Sequence, residues 1–125
     1  MTFSPPADVQ RLTERLKVLA EPKRLTILNL LMDGVHCNCE LVESLELTPS
    51  LISHHLRALR EVGLVEMERD AVDSRWVYYS VNESALRELN DTFGAFFNPQ
   101  RIQPRRPNCG PQGAFMRLED IRVAA

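Results

Sequence analysis

Two of the three cysteines lie one residue apart, as Cys37-Asn38-Cys39, and the third, Cys109, stands alone near the C-terminus. Thiolates are soft donors, so they select Cd, Pb, Zn, Cu(I) and trivalent arsenic or antimony over hard cations. Two thiols this close suit chelation or redox chemistry. The pair has no βαβ context and no convergent acid, base or oxyanion group, which argues against a thiol oxidoreductase or metal-transfer protein and against an enzyme generally. The N-terminus, MTFSPPADVQ, lacks the basic start and apolar core of a secretory signal. Reduced thiols are therefore expected rather than a structural disulfide framework. His36 adjoins the pair and would suit a borderline metal such as zinc, although a histidine just before a helix is more often a solvated cap.

The elements that must position these thiols can be read in order. Val9, Leu12, Leu16 and Leu19 recur at helical spacing and predict a first helix over Ala7 to Leu19. Pro22 ends that helix and opens a second, carried by Leu25, Ile27, Leu28, Leu30 and Leu31 and stopped at Asp33-Gly34. A short third helix, from Asn38 or Cys39 to Leu45, turns Leu41, Val42 and Leu45 inward. Thr48 then caps, and Pro49 opens, a fourth helix that runs to about Val62 and closes at Gly63. Helix, short turn, helix is the helix-turn-helix arrangement. Leu64 to Asp70 and Arg75 to Val81 alternate and are rich in Val, Trp and Tyr, so they predict a hairpin around the tip Ala71 to Ser74. Asn82 caps a last helix from Glu83 to about Phe97, with Leu86, Leu89, Phe93 and Phe96 or Phe97 on its apolar side.

The predicted class is mainly α with a β-hairpin wing, a winged helix-turn-helix in the order ααααββα. Residues 7–97 form the domain, and 98–125 form a Pro- and Arg-containing tail with a helical turn near Phe115 to Ile121. A chain of 125 residues, 44% apolar and 26% charged, is ordinary globular material. A formal charge of −2 excludes a wholly basic nucleic-acid binder but not a local basic face. No apolar run approaches the ~18–20 residues of a membrane span, and a soluble cytoplasmic protein is expected.

On the fourth helix, Ile52, Leu56 and Leu59 share one face and pack inward. Ser50, His54 and Arg57 lie opposite, with Ser53 at the edge. Short hydroxyl side chains let a helix sit close in the major groove, while Arg and His reach phosphates or purine edges. Four polar residues on a helix are commonplace as a solvated face. The helix-turn-helix, the hairpin directly after it and Arg69 and Arg75 on that hairpin favour double-stranded DNA. The expected DNA-facing set is Ser50, Leu51, Ser53, His54, Arg57, Arg69 and Arg75. His54 and His55 are not a metal pair, because His54 faces outward and His55 packs on the core.

LAEPKRLTILNLL, CNCELVESLELTPSLISHHLRALREVGLV and RWVYYSV resemble the arsenic-repressor (ArsR) family of bacterial metal-sensing winged-helix repressors, over roughly Leu16 to Phe97. The resemblance implies a homodimer joined through the first and last helices, which agrees with their apolar faces, and two recognition helices one DNA turn apart. It also implies that Cys37-x-Cys39 is the inducer motif, with ligation pulling the third helix against the fourth. Both sulfurs are expected to reach one ion only by distorting the start of that helix. The family's arsenite sensors often carry a third cysteine one turn later, where this chain has Val42. Trivalent arsenic prefers three sulfurs, and Cys109 is the remaining thiol; the dozen residues from Phe97 span up to ~40 Å if extended.

The set Cys37, Cys39 and Cys109 therefore reads as a site for As(III) or Sb(III), with Cd or Pb as alternatives and no permanent cofactor. The family's zinc site on the last helix lacks its histidine here, and Glu83, Glu88 and Asp91 have no nitrogen partners. The wing tip is longer and more acidic than usual, with Asp70 and Asp73, which disfavours its approach to phosphate. Two rivals remain: a redox-responsive repressor joining Cys37 or Cys39 to Cys109, and a winged-helix module that binds protein rather than DNA.

Overall fold

The computed structural model describes residues 2–110. The chain divides into two units, Met1–Gly94 and Ala95–Ala125. In the first unit, helix α1 (Ala7–Leu19) is followed by α2 (Pro22–Leu31), a two-residue strand β1 (His36–Cys37), α3 (Asn38–Leu45) and α4 (Pro49–Glu61). Strands β2 (Val65–Arg69) and β3 (Val77–Val81) form the wing, and α5 (Glu83–Phe96) closes the series.

Helices α2, α4 and α5 begin at side-chain caps. Glu21 caps α2 by accepting from the Arg24 N–H at 3.0 Å, with Pro22 in the first turn where no amide proton is needed. Thr48 does the same for α4, accepting from the Leu51 N–H at 3.2 Å ahead of Pro49. Asn82 Oδ1 accepts from the Ala85 N–H at 3.2 Å and so starts α5. The C-terminal end of α4 turns through Gly63 at φ 77°, a conformation that a Cβ would strain, and the Leu64 N–H returns to the Leu59 carbonyl at 3.1 Å.

Strand β1 departs from the predicted element order. It is too short to show a period of two in the sequence, and it exists because β3 offers it an edge. The sheet order is β1-β3-β2, all antiparallel, with His36 opposite Tyr79 and Cys37 opposite Tyr78. Across the wing, Val65 pairs with Val81 and Arg69 with Val77.

The main core joins α2, α3, α4 and the sheet through Ile27, Leu28, Leu31, Leu41, Ile52, Leu56, Leu59, Val65 and Tyr79. A second cluster, Leu12, Leu64, Ala85 and Leu89, ties α1 to α5 beneath the end of α4. Arg15 is buried within reach of both layers: its Nε donates to the Val62 carbonyl at 3.4 Å and Nη1 lies 3.8 Å from Glu88. Helical spacing had assigned this turn of α1 only its leucines. Leu25 and Phe93 stay about half exposed, and Met32 more so. With Leu16, Leu19 and Leu86, Leu25 and Phe93 line an apolar groove of about 600 Å³ between α1, α2 and α5.

In the second unit, the Arg101 guanidinium stacks over the Phe96 ring at 5.4 Å and donates to the Phe96 carbonyl. A single 3-10 turn, Pro99–Arg101, is capped by Asn98. The helical turn expected near Phe115 to Ile121 lies outside the described residues. No helix among the described residues is long and apolar enough to cross a membrane.

The two faces of α4 should differ sharply in stability. Leu56→Ala, at a position 1% exposed, should cost about 2–5 kcal/mol. His54→Ala, on the exposed face, should stay within about 0.5 kcal/mol. Denaturant unfolding at one fixed protein concentration measures both, and similar losses would mean that the faces are assigned wrongly.

Candidate metal centre and nucleic-acid interface

Cys37 is the last residue of β1 and the N-cap of α3. Its N–H donates to Glu40 Oε1 at 3.0 Å, and its Sγ accepts from the Glu40 N–H at 3.4 Å. This reciprocal pair is a capping box with sulfur in place of the usual hydroxyl. Cys39 follows in the first turn of α3 and is exposed, while Cys37 is buried. Their Sγ atoms are joined as a disulfide, contrary to the expectation of two reduced thiols. The change from extended to helical backbone at Cys37 leaves the two Cα atoms 5.4 Å apart, within the range a bridge spans. The capping box is complete with the sulfurs joined, so their convergence does not by itself distort the helix start.

The pair opens on a groove of about 530 Å³ lined by Val42, Pro49, Ser53, Arg75, Trp76 and Tyr79, among others. Asn38, between the cysteines, reaches across it: Nδ2 donates to Ser53 Oγ at 3.5 Å. Asn38 Oδ1 is buried without a hydrogen-bond partner, a cost of order 1–3 kcal/mol for a neutral group. Asn38 escaped sequence analysis because nothing in a Cys-x-Cys pattern distinguishes the middle residue. Trp76 escaped it as a groove wall because it read simply as a strand residue.

On α4, Ser50, Ser53, His54 and Arg57 are exposed and Leu51 is half-buried. Arg69 and Arg75 are exposed on the wing, but each is engaged there. Arg69 Nη1 donates to the Ser74 carbonyl at 3.1 Å, and Arg75 Nη2 lies 2.7 Å from Asp73 Oδ2. The wing acids are turned inward. Asp70 Oδ1 accepts from the N–H groups of Val72 and Asp73 at 2.8 and 3.0 Å, and these hold its carboxyl below the ordinary range. The Arg75 guanidinium does the same for Asp73. Asp70 thus shapes the tip and Asp73 neutralises a wing cation.

His55, about 100° around α4 from the exposed His54 and with its ring 5.3 Å from that of His54, is buried. Its Nδ1 accepts from Arg24 Nε at 3.1 Å, which assigns the proton of the neutral ring to Nε2. Burial lowers its pKa; the nearby Glu21 carboxylate opposes that shift, and the Arg24 charge adds to it. Glu21 itself is raised by desolvation, but the N–H groups of Arg24 and Lys23 and the charges beside it leave its pKa below the ordinary value.

Cys109 lies in the second unit as an exposed free thiol. Among the described residues no group of three or more His, Cys, Asp or Glu side chains is placed to hold a metal ion.

The family described as bacterial regulatory protein, arsR family, matches residues 21–67, from the cap of α2 into the first wing strand. The arsenical resistance operon repressor of Bacillus subtilis is 33% identical over 82 residues, covering 65% of this chain and 75% of that protein. The HTH-type transcriptional regulator NmtR of Mycobacterium tuberculosis is 35% identical over 114 residues, covering 86% and 91%. Among solved structures, a possible transcriptional regulator for arsenical resistance superposes with a TM-score of 0.61 at 28% identity, over 90% of this chain and 96% of that one.

The depressed pKa of His55 has a defined effect on stability. The unfolded chain takes up this proton near pH 6.5 and the folded chain only at lower pH, so the unfolded state binds more protons in between. The contribution is intact above about pH 6.5 and is lost as pH falls from there toward the folded value. Glu21, Asp70 and Asp73 titrate below their ordinary values, outside this window. His55→Gln, which can still accept from Arg24, should flatten the fall in unfolding free energy as pH drops below about 6.5. Denaturant titrations at half-unit pH steps measure it, and an unchanged slope would exclude His55 as the source.

Proposed function

We propose, from the premise that this chain belongs to the ArsR family of bacterial regulatory proteins, that it is a homodimeric repressor released from operator DNA when As(III) or Sb(III) binds its cysteine thiolates. It binds and regulates, and carries out no catalysis. Ser50, Leu51, Ser53, His54 and Arg57 on α4 face the major groove, with Arg69 and Arg75 contributing wing contacts to the phosphate backbone. The partly exposed apolar surface of Leu16 and Leu19 on α1 and Leu86 and Phe93 on α5 supports dimerisation through those helices.

One observation carries the mechanism: Asn38, held between the two cysteines, hydrogen-bonds Ser53 on the DNA-reading helix. Cys37, Cys39 and Cys109 make up the three-thiol set that trivalent arsenic prefers, with the tail bringing Cys109 to the pair of its own or its partner chain. Ligation draws on the same Cys37 sulfur lone pairs that cap α3. Loosening that cap shifts Asn38, and Ser53 with it. A coupling of 1–3 kcal/mol would lower DNA affinity roughly 5–150-fold. Cadmium or lead at the same thiolates is the alternative inducer. The joined sulfurs favour a second reading, in which oxidation of the thiols releases DNA.

Anisotropy of a labelled operator duplex, with protein kept reduced by a phosphine, distinguishes these readings. Arsenite should release DNA at about one equivalent per chain, with weaker release in Cys109→Ala. Arg57→Ala should weaken binding and reduce the salt slope by about one. Release by cadmium but not arsenite would change the inducer and keep the mechanism. Release by oxidant alone would establish the redox reading.

A further inference from the structure

The groove beside the thiol pair has two chemically different walls. One is sulfur, Cys37 and Cys39; the other carries the carbon surface of Val42, Pro49, Trp76 and Val77 beside the polar groups of Asn38, Ser53, Arg75 and Tyr79. Trp76 is half exposed and stands where the wing meets the groove. Val42 lies on α3 one turn beyond the pair, so it can line the same side as Cys39. A trivalent arsenic atom held by two sulfurs has one valence left, and within the groove Val42, Pro49, Trp76 and Val77 offer apolar surface to a substituent on it.

We infer that the groove is a binding site for monoorgano-arsenic(III) compounds, with Cys37 and Cys39 taking the arsenic and the carbon substituent lying against Trp76 and Val42. This rests on the thiol-sensing function proposed above. The structure holds the two sulfurs as a disulfide; a phosphine or thiol reductant, itself oxidised by two electrons, first opens it to two thiols, and the arsenic step that follows is a ligand exchange without redox change. With phenylarsonous acid, C6H5As(OH)2, the two As–O bonds and the two S–H bonds break, two As–S bonds form, and two waters leave. The As–C bond is untouched and occupies the valence that inorganic arsenite would give to a third sulfur. Cys109 is therefore needed for the inorganic ligand and dispensable for the organic one. Ser53 and Arg75 line the same groove, so a substituent in it adjoins two side chains assigned to DNA.

The full chain, reduced with a phosphine because dithiol reductants compete for arsenic, is titrated calorimetrically with phenylarsonous acid and with arsenite. Trp76 is the single tryptophan, so its emission reports groove occupancy directly in the wild type. Phenylarsonous acid should bind one equivalent per chain, change Trp76 emission and bind Cys109→Ala undiminished. Trp76→Ala should weaken phenylarsonous acid about tenfold, the scale of a lost apolar contact in a pocket, and arsenite less than about twofold. Trp76→Phe keeps an aromatic wall and should retain most of the affinity, which separates a lost contact from a damaged wing. Equal weakening of both ligands by Trp76→Ala, or a requirement for Cys109 by the phenyl compound, would overturn the inference. A duplex-release assay run alongside distinguishes the two levels. Organic binding that follows this pattern without DNA release would refute the regulatory function and leave the groove assignment standing. Release by arsenite without the Trp76 effect would do the reverse.

Discussion

Cys37 is the residue on which the arrangement depends, because its backbone belongs to the sheet while its N–H and sulfur hold the start of α3. Its backbone pairs with Tyr78 and ends β1. Its N–H and sulfur exchange hydrogen bonds with Glu40 and start α3. The same sulfur is bonded to Cys39. Any chemistry at that atom is therefore felt at a strand end and a helix start together. Sulfur is a weak acceptor, so the cap is worth less than a hydroxyl cap's typical ~1 kcal/mol. A weak cap is easily traded against a covalent or coordinate bond.

The second consequence concerns scale. A helix cap and one side-chain hydrogen bond are each worth about 1 kcal/mol. Regulatory couplings are of the same size. The path proposed above, from sulfur through the α3 cap to Asn38 and Ser53, therefore needs no large rearrangement. It needs only that α3 and α4 stay packed through fully buried Leu41, Ile52 and Leu56, so that a shift at one is transmitted to the other.

The wing reconciles two demands on the same few residues. A tip of this length needs its backbone amides satisfied, and Asp70 does that by accepting from two of them. The Tyr78 hydroxyl also donates to Asp70, at 3.4 Å, while the second wing acid, Asp73, is neutralised by Arg75. The cost falls on Arg75, whose guanidinium is shared with Asp73 before it can meet any phosphate.

Much of the fold was legible in the chain itself. Pro22 and Pro49 with their caps Glu21 and Thr48, Gly34 and Gly63 at positive φ, and the spacing of Ile52, Leu56 and Leu59 are local signals. They act within one or two helical turns, so they determine α2, α4 and the inward face of α4 without help from the rest of the molecule. The alternation in the Val77-Tyr78-Tyr79 strand and the closeness of Cys37 to Cys39 are local in the same sense. What required the tertiary structure was every relation between distant segments. Strand β1 is two residues long and is specified by the free edge of β3, about forty residues later in the chain. Burial of Arg15, the acceptor role of His55 toward Arg24, the Asn38–Ser53 hydrogen bond and the placement of Trp76 beside the thiols all depend on packing. A sequence pattern records the period of one element, whereas a groove is made by several elements meeting, and only their packing decides which side chains share it.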